Sequence, residues 1–161
     1  MKKNRVFVDM DGVICEYKNV SEEELEEKGY FYNLAPRKSM VDAINCLIES
    51  NMAEVFVLSA VIPSIANQAK EEKNAWLDKY VPAIDKDHRI FTLCGESKVG
   101  SVPEFSKEDI LLDDYSANLF TWHEAGGKAV KILNEINGHG GSFQCGPRLF
   151  VDNKEDLLTL L

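Results

Sequence analysis

The sequence predicts an α/β protein of three layers, in which helices cover both faces of a doubly wound parallel sheet. Apolar runs of strand length alternate with stretches of helical length along the 161 residues, which is the pattern that parallel α/β sheets produce. Two of the apolar runs end directly in paired carboxylates, Asp9/Asp11 and Asp113/Asp114. No internal repeat or long linker divides the chain, so a single domain over residues 1–161 is predicted.

The first predicted strand ends at Asp9 and is followed by an insert before the chain returns to the sheet. Ser21 and Glu24 have the spacing of a capping box, so a short helix is predicted over residues 21–28. Because this segment has little apolar content, it is typical of a small exposed lid. We therefore expect residues from about 16 to 36 to form a small helical cap.

The remaining elements follow from apolar periodicity and from the residues that start and stop helices. Ser39 is placed to cap an amphipathic helix that ends near residue 49, and Pro63 suits the first turn of a helix that ends near residue 80. Further helices are predicted from about Ser116 to the glycine pair at 126–127 and after Asn153. Strands are predicted at residues 5–9, 54–58, 89–93, 109–112, 128–133 and 148–151, and loops at 95–107 and at the glycine-rich segment 137–147.

Charge and composition exclude several classes of protein. The net charge of −9 and the absence of a Lys/Arg cluster argue against a binder of nucleic acid or of a membrane surface. The basic first residues are not followed by an unbroken apolar segment, because Asp9 interrupts it, so we expect no secretion signal and a cytoplasmic location. The four cysteines show no metal-ligand or disulfide spacing and are predicted to be reduced and non-catalytic.

The tip of the first strand carries the most informative residues of the chain. The apolar run at residues 6–8 stops at Asp9 and Asp11, which places both carboxylates at the carboxyl end of the strand. In open α/β sheets the ligand crevice lies at that edge. Two carboxylates so close repel each other, so a divalent metal, a lysine or both are expected beside them. The alternative is an ordinary turn, in which Asp and Gly are common.

Three further polar features follow other predicted strands and are expected at the same edge. Ser59 follows the second strand, Lys98 follows the third, and the pair Asp113/Asp114 follows the fourth. Taken singly, each has a plain structural explanation: a helix N-cap, a solvated loop lysine and a strand-end turn. Together they leave four repelling carboxylates at one sheet edge unless a cation lies among them. Lys107 is a second candidate for the lysine, although it directly precedes the fourth strand.

The order of these motifs resembles that of the haloacid dehalogenase (HAD) superfamily of phosphohydrolases. The matching residues are Asp9-Met10-Asp11-Gly12-Val13, Ser59, Lys98 and Asp113-Asp114. Within the superfamily, the segments 29–36, 111–115 and 131–134 are similar to the 5′-nucleotidase group that includes the 5′(3′)-deoxyribonucleotidases. The resemblance extends over essentially the whole chain and implies a HAD-like Rossmannoid fold with a small cap after the first strand.

The resemblance implies a two-step hydrolysis of a phosphomonoester. Asp9 would attack phosphorus to form an aspartyl-phosphate. Asp11 would protonate the leaving oxygen and then deprotonate the attacking water. A carboxylate oxygen of Asp9, the backbone carbonyl of Asp11 and the side chain of Asp113 would hold Mg²⁺, which prefers oxygen ligands.

The resemblance also implies residues that bind the phosphoryl group. Ser59 would donate a hydrogen bond to a phosphoryl oxygen, and Lys98 would neutralise charge on both the phosphate and the nucleophile. Backbone N–H groups around Met10 and Ala60 would complete the cradle for the transition state. Asp114 would orient Lys98 or a metal-bound water.

Aromatic residues of the insert are candidates for contact with a substrate. Tyr17, Tyr30, Phe31 and Tyr32 can stack on a nucleobase, as aromatic side chains do in many nucleotide sites. Equally, they can form the insert's own small core. The insert has only about twenty residues, which is short for a nucleotidase cap.

The sequence therefore predicts a Mg²⁺-dependent phosphomonoesterase acting on a small phosphorylated metabolite, with a (deoxy)nucleoside 5′-monophosphate as the first expected substrate. A HAD phosphatase with a non-nucleotide substrate is left open. Two non-enzymatic alternatives are a receiver-like phosphoacceptor module and a phosphate-binding module without turnover. A receiver carries its phosphoacceptor on a middle strand, which does not match the order found here. The sequence also leaves open a homodimer and the role of the 137–147 loop.

Overall fold

The computed structural model describes residues 2–161, and six strands in it form one sheet. The strands are β1 (Asn4–Val8), β2 (Ala53–Val61), β3 (Arg89–Leu93), β4 (Ile110–Asp113), β5 (Lys128–Leu133) and β6 (Arg148–Phe150). Their order across the sheet is β3-β2-β1-β4-β5-β6, and every neighbouring pair is parallel. This confirms the predicted α/β fold with a parallel sheet.

Helices cover both faces of the sheet and produce the three predicted layers. They are α1 (Glu22–Glu26), α2 (Lys38–Glu49), α3 (Ala66–Tyr80), α4 (Ser116–Glu124) and α5 (Lys154–Leu160). One hydrophobic cluster joins the sheet to α2, α3 and α5, and a second joins the opposite face to α4. Among residues 2–161, no helix combines the length and the apolar character needed to cross a membrane.

The central strand β1 is apolar on both faces because both faces are covered. Val6 and Val8 are fully buried in the first cluster, whereas Phe7 points to the other face and lies 5.4 Å from the Trp122 ring. A strand buried on both sides appears in the sequence as a continuous apolar run rather than an alternating one. Beyond this apolar run, the next charged side chains are those that follow its carboxyl end.

The strand order creates a crevice at the carboxyl end of β1. After β1 the chain builds β2 and β3 on one side, and then returns to the other side of β1 with β4. Connections that leave in opposite directions separate at this point, which is where open α/β sheets bind ligands. The carboxylates that follow β1 and end β4 lie at this switch point.

Two predicted element boundaries are corrected by the structure. The second strand does not end at residue 58, because Ser59 and Val61 continue in register with β3. Ser39 does not cap α2, since the helix begins at Lys38 and Arg37 occupies the N-cap position without a side-chain hydrogen bond. A serine shortly before an apolar stripe was therefore not sufficient to predict the N-cap residue of α2.

The insert between β1 and α2 is attached to α3. The capping prediction for Ser21 is confirmed, because its hydroxyl accepts a hydrogen bond from the N–H of Glu24, although the helix spans only Glu22–Glu26. The Gln68 side chain donates to the Glu26 carbonyl at 3.2 Å, and the Trp76 indole N–H donates to the Leu34 carbonyl at 2.8 Å. These bonds fix the insert along one face of α3.

Candidate active site

The turn after β1 brings Asp9 and Asp11 to the crevice. The N–H of Asp9 still pairs with the Leu112 carbonyl of β4 at 3.0 Å, so the first carboxylate is held by the sheet. Gly12 follows with φ +81°, and a Cβ at this position would lie 2.1 Å from an oxygen of Asp114. Only glycine combines this backbone conformation with so close an approach.

Lys98 joins two of the predicted acidic residues. Its Nζ lies 3.0 Å from Asp9 Oδ1 and 2.7 Å from Asp113 Oδ2, and its side chain is 3% exposed. The alternative lysine, Lys107, lies against Gly126 before β5, at the opposite edge of the sheet. The geometry therefore selects Lys98 as the lysine of this site.

Asp113 is held rigidly at the end of β4. It is fully buried, and its two oxygens accept hydrogen bonds from the Tyr115 N–H at 2.9 Å and from the Asn118 side chain at 3.0 Å. Lys98 supplies a further donor to the same carboxylate. A buried carboxylate with this many donors is fixed in position as well as in charge.

A third carboxylate lies beside Asp9 and Asp113. One oxygen each of Asp9, Asp113 and Asp114 lies within 4.8 Å of the others. Three carboxylate oxygens are hard ligands of the kind that Mg²⁺ binds while keeping some of its waters. No hydrogen bond or ion pair found among residues 2–161 joins Asp114 to Lys98, and the alternative role of Asp114, orienting a metal-bound water, stays a prediction. The Asp114 side chain accepts a hydrogen bond from Asn134.

The electrostatics of the cluster favour a bound cation. Burial raises the pKa of Asp9 well above its usual value, Lys98 opposes this, and Asp113 and Asp114 add to it. Burial and the charge of Asp113 raise the pKa of Asp114 to about 6. For Lys98, burial acts to lower the pKa, but Asp113 and Asp9 together raise it. The negative charge at this edge therefore exceeds what Lys98 alone neutralises.

A second buried lysine, which the sequence analysis did not assign, contacts the other half of the site. Lys73 of α3 is 1% exposed, and its Nζ lies 2.8 Å from Asp11 Oδ2 and 2.8 Å from Ser59 Oγ. It occupies the buried stripe of α3 with Ala69 and Trp76. A lysine in an otherwise apolar stripe is the signal in the sequence that could have identified it.

The bond from Lys73 orients the Ser59 hydroxyl. An ammonium group only donates hydrogen bonds, so Ser59 Oγ must accept this one, and its own proton is directed to a different acceptor. Ser59 is not a helix N-cap, because Ile62 holds that position before the turn Pro63–Ile65. The neighbouring Ala60 presents its carbonyl to Lys73 at 3.1 Å, and the contact of a nearby backbone N–H with a phosphoryl oxygen stays a prediction.

Asn134, at the end of β5, links the two acidic turns. Its side-chain amide donates to the Gly12 carbonyl at 2.8 Å and to Asp114 Oδ2 at 2.9 Å, and the residue is 1% exposed. No role for Asn134 was predicted from the sequence. The signal was a polar residue at the carboxyl end of one more buried strand.

Two adjoining cavities open at the site, and Asp11 and Tyr17 line both of them. The larger, of about 430 Å³, lies over the aspartates and is lined by Asp9, Asp11, Tyr17, Asp114, Tyr115, Ile136 and Asn137. The smaller, of about 130 Å³, extends beneath the insert.

The predicted aromatic residues of the insert have different positions relative to these cavities. Tyr17 lines both cavities, and Tyr30 lines the smaller one. Phe31 also borders the smaller cavity, but it is buried in the main core, and its ring lies 5.1 Å from Lys73 Nζ. Tyr32 borders neither cavity and lies near Lys79 instead. The structure thus brings Tyr17 to the aspartates and leaves Tyr32 outside.

Comparisons with known proteins find similarity in structure alone. No protein-family model matches the chain, and neither does any curated protein. D,D-heptose 1,7-bisphosphate phosphatase from Burkholderia thailandensis superimposes with a TM-score of 0.62 at 17% identity, covering 98% of each chain. The enzyme of the same name from B. bronchiseptica, complexed with magnesium and phosphate, gives 0.59 at 15% identity over 100% of each chain.

A third solved structure with a similar fold is a hydrolase from another organism. The HAD-hydrolase YfnB from Bacillus subtilis, bound to magnesium, gives a TM-score of 0.54 at 9% identity and covers 99% of each chain. Identities this low establish likeness of fold only. The chain therefore has the fold of the HAD-like phosphatases and hydrolases.

Proposed function

We propose that this protein is a Mg²⁺-dependent phosphomonoesterase of the HAD type. The observation that carries the proposal is the arrangement of Asp9, which lies 3.0 Å from the buried Lys98 and within one cluster with Asp113 and Asp114. Asp11 follows two residues later and faces the cavity over this cluster. A carboxylate nucleophile, a second carboxylate for proton transfer and a cation site are the groups that phosphoryl transfer to an aspartate needs.

The proposed metal ligands are the carboxylates of Asp9, Asp113 and Asp114 with the backbone carbonyl of Asp11. Bound there, Mg²⁺ would neutralise charge on the phosphoryl oxygens and on the nucleophile. The donor set is composed of oxygen atoms, and burial together with the neighbouring carboxylates raises the pKa of both Asp9 and Asp114, an environment in which a cation would stabilise the charged forms. These residues therefore fit the ion.

The chemical steps fall to Asp9 and Asp11. An oxygen of Asp9 forms a bond to phosphorus as the bond to the leaving alkoxide breaks, which gives an aspartyl-phosphate. Asp11 donates its proton to the leaving oxygen. It then takes a proton from water as that water attacks phosphorus, which releases phosphate and restores the Asp9 carboxylate. The Asp11 side chain is 25% exposed and lines both cavities, so it can reach a leaving group there.

Two lysines and a serine would stabilise the transferred phosphoryl group. Lys98 holds Asp9 and supplies positive charge next to the nucleophile. Ser59 is oriented by Lys73 so that its proton is directed to another acceptor, which we assign as a phosphoryl oxygen. Donors fixed in a buried site stabilise developing charge more effectively than the same groups in water.

We infer a nucleoside 5′-monophosphate as the substrate, following the similarity of several segments to the 5′-nucleotidase group. The presence of Tyr17 and Tyr115 at the cavity supports this choice. A second candidate is a phosphatase for a sugar phosphate, which the fold likeness to D,D-heptose 1,7-bisphosphate phosphatases favours.

The proposal is tested by hydrolysis of p-nitrophenyl phosphate and of a panel of nucleoside monophosphates, each with Mg²⁺ and with EDTA. We expect phosphate release only with Mg²⁺, and none from Asp9→Asn, because the amide cannot act as the nucleophile. Asp85→Asn, which changes an exposed carboxylate at the opposite edge of the sheet, is the matched control and should retain full activity. Absence of hydrolysis of every ester, or full activity in Asp9→Asn, would overturn the proposal.

A further inference from the structure

Lys131 is a buried lysine that the proposed mechanism does not use. It lies in β5 in register with Asp113 of β4 and is 1% exposed. A lysine is almost never fully buried unless it is paired. No ion pair found among residues 2–161, however, includes Lys131. Neither apolar packing nor a salt bridge therefore accounts for a lysine at this position.

The ammonium group of Lys131 binds the turn that joins β4 to α4. Its Nζ donates to the Asp114 carbonyl at 2.6 Å and to Ser116 Oγ at 2.9 Å. The same turn carries both carboxylates that follow β4. Lys98 bonds the side chain of Asp113, whereas Lys131 bonds the backbone of the residue that follows it. Two buried lysines thus hold the acidic turn by different atoms.

Stabilisation of α4 does not explain this contact. Ser116 is the first residue of the helix, and the N–H groups at that end carry partial positive charge, which disfavours a nearby cation. Burial lowers the pKa of Lys131, while the charges of Asp114 and Asp113 act to raise it. The ammonium therefore interacts favourably with the acidic turn and unfavourably with the end of the helix.

The glycine-rich loop at 137–147 closes over the ammonium of Lys131. Gly141 has φ +104°, and a Cβ at this position would lie 2.7 Å from Nζ of that lysine. The N–H of Phe143 donates to the serine oxygen that the lysine also contacts, at 3.3 Å. The side chain of Asn137 donates to the same aspartate carbonyl, also at 3.3 Å. The loop therefore contacts both groups that the lysine contacts.

We propose that Lys131 is a positioning residue for the metal site, which it maintains by fixing the backbone of Asp114, and that the 137–147 loop keeps it in place. The inference rests on the proposed function, which assigns Asp114 as a ligand of Mg²⁺. Lys131 bonds the backbone carbonyl of this residue and not its carboxylate, so it acts on the ion through the ligand. Groups that orient a metal ligand in this way are typically worth about 10- to 100-fold in metal affinity.

The test measures the Kd for Mg²⁺ by isothermal titration calorimetry in the absence of substrate. Gly141→Ala keeps every charge but places a methyl group where the Lys131 ammonium lies, so we expect the Kd to rise by about tenfold or more. Gly138→Ala is the matched control. Gly138 lies in the same loop and also has a positive φ, of +62°, but its Cβ would meet no atom within 4 Å. Its Kd should not change.

A second pair of variants removes the ammonium itself. Lys131→Met should also raise the Kd for Mg²⁺ by about tenfold or more, and it decides the matter if Gly141→Ala does not fold. Lys128→Met is its control, because Lys128 lies in the same strand but is exposed and pairs with the exposed Glu108. A merely structural role of Lys131 would lower the Tm in EDTA and leave the Kd of the folded protein unchanged.

The outcomes separate this inference from the proposed function. An unchanged Kd in Lys131→Met, or equal changes in Gly141→Ala and Gly138→Ala, would overturn the positioning role and leave a phosphatase. Tighter binding of Mg²⁺ by Lys131→Met would also overturn it, because Lys131 would then act on the ion by charge repulsion alone. No saturable binding of Mg²⁺ by the unchanged protein, together with no hydrolysis of p-nitrophenyl phosphate, would overturn both.

Discussion

The acidic cluster should destabilise the metal-free protein as the pH rises. Burial and the charge of Asp113 raise the pKa of Asp114 from 3.8 to about 6. Because the folded-state pKa lies above the unfolded one, the folded protein binds more protons between roughly pH 4 and pH 6, and the free energy of unfolding falls across that window. A rise of this size corresponds to about 3 kcal/mol, which the partial exposure of the carboxyl reduces.

Asp114→Asn isolates this effect. The amide keeps an oxygen for the bond from Asn134 but carries no charge at any pH. In EDTA at pH 7.5, we expect its free energy of unfolding to exceed that of the unchanged protein by about 1–3 kcal/mol. That is a rise in Tm of about 2–4 °C for each kcal/mol in a chain of this size. The difference should shrink as the pH falls towards 4 and vanish only below the unfolded pKa of 3.8, where Asp114 is protonated in both states.

The assay is thermal unfolding followed by circular dichroism, with EDTA or with Mg²⁺, across pH 4 to 8. Added Mg²⁺ should raise the Tm of the unchanged protein at pH 7.5 and have little effect on Asp114→Asn, which has lost a proposed ligand. Asp85→Asn controls for the removal of any carboxylate. A lower Tm of Asp114→Asn than of the unchanged protein in EDTA at pH 7.5, or a difference in Tm that does not shrink on acidification, would refute the destabilising effect of the Asp114 charge.

Two further substitutions test the buried contacts of the site. Lys73→Met removes a donor at 2.8 Å from Asp11, and we expect kcat/KM on p-nitrophenyl phosphate to fall by about a hundredfold or more. The control Lys70→Met, on the same helix, should have no effect. Equal activity of both variants would contradict the role of Lys73. Gly12 has φ +81°, and Gly12→Ala places a Cβ 2.1 Å from an Asp114 oxygen. We expect this substitution to lower the free energy of unfolding by about 1–3 kcal/mol. It should also remove the rise in Tm caused by Mg²⁺, because Asp114 is displaced. An unchanged Mg²⁺ response would show that the turn does not position Asp114.

The proximity of Asp9 and Asp113 could be predicted from the sequence, because it follows from the parallel arrangement of the strands. Carboxyl ends of neighbouring parallel strands meet at one edge, so Asp9 and Asp113 had to approach each other once both apolar runs were assigned as strands. Lys98 follows β3 and reached the same edge, whereas Lys107 lies at the other end of β4 and did not. The order of these residues along the chain was sufficient to predict that they lie close together, because the parallel topology brings the carboxyl ends of the strands to one edge.

Residues that reach the site from a helix or from a turn could not be predicted in this way. Lys73 depends on the rotation of α3 about its axis, which an amphipathic pattern fixes only approximately. The aromatic residues show the same limit. Phe31 is buried in the core, whereas Tyr115 is exposed beside the cavity. From their neighbours in the sequence, both residues are simply aromatic residues in loops. Which of these side chains line the cavity depends on tertiary packing and not on residue type alone.

The proposed mechanism requires that Asp9 become covalently phosphorylated during turnover. The most direct measurement is mass spectrometry of the acid-quenched protein after mixing with p-nitrophenyl phosphate and Mg²⁺. We expect the added mass of one phosphoryl group on the peptide that contains Asp9, and its absence in Asp9→Asn and in EDTA. Asp11→Asn should still show the adduct while releasing phosphate slowly, because its water is no longer activated. Phosphate release by the unchanged protein with no adduct under these conditions, or an adduct that persists in Asp9→Asn, would contradict the account.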